Sequence, residues 1–134
     1  MKKSLFLEIL LLVPFLLVAS ARAEDELMPG YNACMEKATC TADAMECISA
    51  AYLHWDAILN ANFKKAKASC GDYDKPEECT ANLLKAQRAW IQYRDAMAQV
   101  ILDADGGGSI ARVSANSFFA KETKKQAQLL APAE

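Results

Sequence analysis

Residues 83–98 read LLKAQRAWIQYRDAMA, and the spacing of their side chains decides the fold. Leu83, Trp90 and Met97 recur every seven residues, which places them on one face of an α-helix, and Gln87 and Arg94 lie between them at four-residue steps. A guanidinium held in such a stripe costs on the order of several kcal/mol unless it is paired and hydrogen-bonded. The stripe therefore requires a polar partner on another element.

Punctuation on both sides supplies the other elements. Pro76-Glu77-Glu78 opens the helix that carries the stripe, with proline at an early position and two carboxylates facing the positive end of the helix dipole. That helix runs to about Asp103, where Asp105-Gly106-Gly107-Gly108 breaks it. Upstream, no proline or glycine falls between Thr41 and Ser69, and Cys47, Ala51, Trp55, Ile58, Leu59 and Phe63 keep helical spacing, with Thr41 or Asp43 as N-cap. Downstream, Ser109 caps a third helix that ends near Leu130, before Pro132. Nothing reads as a strand, and the fold class is all-α. Glu24 to Tyr31, with Pro29-Gly30 and no periodicity, reads as a loose leader.

The 134-residue chain begins with Lys2 and Lys3, an apolar run from about Leu5 to Val18, and Ala21-Arg22-Ala23. This is the pattern of a secretory signal peptide spanning residues 1–23, leaving 24–134 as one helical domain. The run is shorter than the roughly 20 apolar residues of a spanning helix, so no transmembrane segment is expected after cleavage. The remaining 111 residues hold twelve basic and sixteen acidic side chains, a net charge of −4, which argues against a nucleic-acid partner.

All five cysteines lie in the exported part, where oxidising conditions favour disulfides. Cys70 and Cys79 flank the turn-rich Gly71–Pro76 stretch, and joining them staples two helix ends into an antiparallel hairpin. On one helix, Cys40 and Cys47 would stand about 10 Å apart, beyond the roughly 7 Å limit between bridged α-carbons. Cys34, ahead of the helix and free to fold back, is the better partner for Cys47, which leaves Cys40 as the odd thiol. The expected architecture is a three-helix antiparallel bundle built on this stapled hairpin. Its register puts Asn60 beside Arg88, Trp55 beside Tyr93 and Asp56 near Gln92 to Arg94. A polar clasp follows, in which Arg94 pairs with Asp56 while Gln87 or Arg88 reaches Asn60, within a seam that also holds Trp90 and Tyr93.

No catalytic chemistry is placed by the residues. His54 is the only histidine and sits mid-helix with no nucleophile positioned by sequence. The cysteines lack the paired short spacings of zinc sites. Asp103-Ala104-Asp105-Gly106 resembles the start of a calcium loop, but its fifth and twelfth positions are Gly107 and Ser114. Neither an enzyme, nor a metal, nor a cofactor is expected. Lys121, Lys124 and Lys125, late in the last helix, read as complements to its negative dipole end rather than as a membrane-surface patch.

Taken together, Cys34 with Met45-Glu46-Cys47, Trp55-Asp56-Ala57-Ile58-Leu59-Asn60, the run from Leu84 to Ala96 and Gly107-Gly108-Ser109 resemble the lysozyme inhibitor LprI family of exported bacterial proteins. The resemblance spans about residues 31 to 130. It implies a small helical domain, periplasmic or secreted, that inhibits by binding a protein partner such as c-type lysozyme and occluding it. It also implies cysteines where this chain has Met97 and Phe118, so an apolar contact between those two replaces a family bridge. The exposed contact candidates are the loop of Gly106, Gly107, Gly108 and Ser109 and the turn between Cys70 and Cys79. The alternative reading is an envelope structural or stress-related interaction protein with no inhibitory activity.

Overall fold

A computed structural model describes residues 26–132, and the signal-peptide assignment to residues 1–23 lies outside them. The elements are α1 (Tyr31–Lys37), α2 (Thr41–Ser69), a 3₁₀ turn (Cys70–Asp72), α3 (Pro76–Ala104) and α4 (Ser109–Leu129). The fold is all-α, and the three long helices stand within a residue of the bounds that proline, glycine and capping residues imply. The short α1 is additional.

Each boundary has a local cause. At the start of α2, Cys40 occupies the N-cap position without a side-chain cap. Asp43, in the first turn, instead accepts the Thr39 N–H and hydroxyl at 2.8 Å each. Those bonds stabilise the carboxylate and hold the Asp43 pKa below its ordinary value. Pro76 opens α3 with Glu77 and Glu78 in its first turn. At the other end, Gly106 and Gly107 take φ of +74° and +71°. The Gly107 N–H reaches Leu102 O at 2.9 Å and the Gly106 N–H reaches Asp103 O at 3.1 Å. This paired closure needs a left-handed residue, which glycine adopts without strain. Gly108, not Ser109, holds the N-cap position of α4.

Both expected disulfides are present. Cys34–Cys47 ties α1 to α2, and Cys70–Cys79 ties the end of α2 to the first turn of α3, with α-carbons 5.8 and 5.6 Å apart. Cys40 is free and exposed. The stapled turn sends α3 back along the chain, but α2 and α3 scarcely touch beyond it. Instead α4 packs against both of them. Contacts rise in number together along α2 and α4, Tyr52 with Phe119 and then Asn62 with Ala127, so these two run parallel. Along α3 and α4 they run in opposite senses, Arg94 with Phe119 and Gln87 with Gln126.

The inner helix can serve both neighbours because its buried positions are small. Ala111, Ala115, Ala120, Thr123 and Ala127 are the buried residues of α4. Asn62 donates to Ala127 O at 2.8 Å, satisfying one of the carbonyls left unpaired in the last turn of α4. The core proper joins Leu27, Ile48, Ala51 and Ala120, with Met28, Tyr31, Met45, Tyr52 and Val113 packed around it.

The leader is therefore not loose. Leu27 is only 6% exposed. The Trp55 indole N–H donates to Leu27 O, and the Lys124 ammonium donates to Glu26 O at 2.7 Å. The Glu26 carboxylate accepts the N–H groups of Asn32 and Gly30 and so caps α1 from upstream. Sequence periodicity does not register this segment because it is held by single anchors and not by a repeating face.

Without reduction, alkylation followed by peptide mapping is expected to label Cys40 alone. Converting Cys70 and Cys79 together to serine should lower the urea unfolding free energy by about 2–3 kcal/mol, the loop-closure value for a ring of this size.

Candidate functional site

The stripe of α3 faces α4, and its polar residues are matched there one by one. Arg94 is the only buried residue of α3, at 8% exposure. Its guanidinium carbon lies 3.7 Å from the centre of the Phe119 ring and 4.8 Å from that of Trp90. Its Nε and Nη2 reach Asp95 Oδ1 at 2.9 and 2.8 Å, and Nη1 reaches Thr123 Oγ1 at 3.5 Å, the limit of a hydrogen bond. Thr123 in turn donates to Phe119 O at 2.8 Å. About two turns upstream of Arg94, Gln87 Oε1 accepts from Gln126 Nε2 at 2.9 Å. The Asp95 carboxylate is half exposed, so that ion pair is screened by water and contributes little. The stacking of a desolvated cation on aromatic faces, worth about 2 kcal/mol, is the larger effect.

The expected clasp between α2 and α3 is corrected by this geometry. Arg94 pairs with Asp95 rather than with Asp56, and Gln87 bonds Gln126 rather than Asn60. Arg88 and Tyr93 are exposed. Asp56 and Asn60 bond each other within α2, at 3.0 Å. Trp55 is engaged by Leu27 and by the Lys124 ammonium 5.4 Å from its ring centre. The cause is the position of α4, whose small side chains let it take the place that the clasp assumed to be empty. The register is nevertheless close, because Tyr52 sits among Asp56, Arg94 and Asp95. Burial first, then the nearby Asp56 charge, raise its hydroxyl above the ordinary tyrosine value, against the opposing effect of Arg94. Sequence reasoning missed Phe119, Thr123 and Gln126, although the alanines spaced along α4 were a signal of a helix approached from two sides.

This cluster positions helices and offers no reacting group, since an arginine stays charged and a threonine bonded to its own helix is not activated. His54 is exposed and lies edge-on to Trp55. Among the described residues, no three His, Cys, Asp or Glu side chains converge as metal ligands would. None of the helices described is long and apolar enough to cross a membrane.

Two of the exposed surfaces stand at the ends of α3. At one end, the turn between Cys70 and Cys79 presents Asp72, Asp74, Glu77 and Glu78 around Tyr73, which is 62% exposed. Only Lys75 offsets those charges, paired with Glu78 at 2.9 Å. At the other end lies the loop of Gly106, Gly107, Gly108 and Ser109, followed by Ile110 at 77% exposure. The 29 residues of α3 separate the two ends by about 43 Å. A standard interface of about 800 Å² per partner is roughly 30 Å across, so one contact does not cover both.

Arg94→Ala is expected to lower the unfolding free energy by about 2–3 kcal/mol, through lost stacking and lost packing of its stem, whereas Asp56→Ala should stay within about 1 kcal/mol. Urea titrations of the two variants check this. Because the folded state raises the Tyr52 pKa above 10.0, its contribution to stability is complete below that pH and lost as pH rises through the folded value. Tyr52→Phe should therefore flatten the loss of stability above pH 10, followed by thermal melts at rising pH.

No curated protein and no solved structure is significantly similar to the chain. The family pattern described as Lysozyme inhibitor LprI matches residues 34–130, from the first bridged cysteine to the end of α4. With most of its length so matched, the chain belongs to the LprI lysozyme inhibitor family.

Proposed function

We propose that the protein is an exported, non-catalytic binding protein that inhibits c-type lysozyme by covering it, with the turn between Cys70 and Cys79 as the contact. Family membership carries this reading. Three properties of the turn support the choice of surface. The disulfide holds it in one conformation, so little ordering entropy opposes binding. Tyr73 is an exposed aromatic of the kind that anchors interfaces. Four carboxylates against one ammonium favour approach to a basic enzyme, in line with the net charge of −4 that cleavage after Ala23 would leave. The loop at Gly106–Ser109 lacks both the staple and the aromatic.

The oxidised protein, mixed with c-type lysozyme, is expected to slow lysis of a cell-wall suspension. Raised salt should weaken the effect by slowing association. Tyr73→Ala should weaken it by about tenfold, the value of a modest interface anchor, while Ser109→Ala leaves it intact. Undiminished lysis at a large molar excess of the wild-type protein would remove the inhibitor reading.

A further inference from the structure

Three lysines of this acidic chain gather around one recess. Lys121, Lys124, Lys125 and Gln128 follow each other at helical spacing on one face of α4 and, with Leu27 as a wall, line a recess of about 260 Å³. The helix dipole does not explain these lysines, because the last turn of α4 holds no basic residue and the effect of the dipole fades beyond that turn. Like charges at this spacing oppose helix formation, by about 0.2–0.5 kcal/mol per pair.

Neither are the charges consumed within the fold. Lys125 is paired with Glu122 at 2.6 Å. Lys124 donates to a neutral carbonyl, Glu26 O, and lies over Trp55, so its position is fixed. Lys121 is exposed, and among the described residues neither it nor Lys124 has a carboxylate within ion-pair distance. Among the described residues, the three lysines and Glu122 thus leave a net two positive charges at the recess, with one ammonium immobilised, several N–H donors and an apolar wall.

We infer that this recess binds a phosphoryl group, carried either by a soluble phosphate or by a lipid headgroup. Ammonium groups act on phosphate oxygens as point charges, each with three N–H donors that a tetrahedral oxyanion can accept from. The volume, just below the range of drug-sized pockets, suits a headgroup and not a large ligand. The recess shares no residue with the acidic turn, so the inference is tested apart from lysozyme inhibition.

The test is a titration of the oxidised protein with inorganic phosphate, followed by the backbone amide signals of residues 121–128, together with co-sedimentation on neutral phosphatidylcholine vesicles and on vesicles containing phosphatidylglycerol. Saturable shifts confined to the recess, weakened about tenfold in Lys121→Gln and unchanged in the surface control Lys85→Gln, identify the site and a soluble source. Binding to the anionic vesicles alone, with the same dependence on Lys121, identifies the lipid headgroup. No saturable response to either probe, or equal losses in Lys121→Gln and Lys85→Gln, overturns the inference. Both variants replace exposed residues, so their folded state is checked by an unchanged helical spectrum.

Discussion

Arg94 is the point at which α3 is tied to the rest of the molecule. Its guanidinium lies between the rings of Trp90 on its own helix and Phe119 on α4, with Thr123 at its edge. No other side chain of α3 is buried, so this helix is held by a half-buried stripe, by one desolvated cation and by the staple at its start. A cation in such a seam is costly unless it is satisfied, and that cost makes it selective. Sliding α3 by one turn along α4 would take the guanidinium off Phe119 and separate Gln87 from Gln126. Register is therefore specified more sharply than an all-apolar seam of the same area would allow.

The two sulfur bridges and the leader act on the other side of α4. Cys34–Cys47 folds α1 back onto α2, and the leader closes over the same region through Leu27, the Trp55 indole and the Lys124 ammonium. The apolar core is small and lies between the leader, α2 and α4. A domain of this size has limited apolar surface to bury, so covalent links and single well-placed polar anchors carry a large share of its definition. The buried polar cluster indexes helices, while the acidic turn at one end of α3 and the exposed Lys121 and Lys125 of the recess stand on surfaces that packing does not use.

Much of this was legible from residues alone. The bounds of α2, α3 and α4 follow from an uninterrupted helical run, from Pro76 and from three consecutive glycines, because those signals act within a few residues and need no tertiary partner. Both bridges follow from spacing for the same reason, since helix geometry forbids Cys40 with Cys47 and the Gly71–Pro76 turn brings Cys70 to Cys79. Periodicity also identified Gln87 and Arg94 as seam residues in need of partners. The exposed candidates at Gly106–Ser109 and at the stapled turn were visible as chain reversals.

What periodicity cannot supply is which helix lies opposite. A stripe states that a face is covered, not by what, and the assumption that α2 covers α3 assigned Asp56 and Asn60 a role that Phe119, Thr123 and Gln126 perform. Order in space was decided by side-chain volume: the alanines of α4 let two longer helices approach it closely, so it became the inner element. The seating of Leu27 and the gathering of three lysines beside it depend likewise on contacts between segments nearly a hundred residues apart. Local rules thus set where each helix starts and stops, and long-range packing chose its neighbours, because backbone signals are short-ranged while burial is a property of the assembled chain.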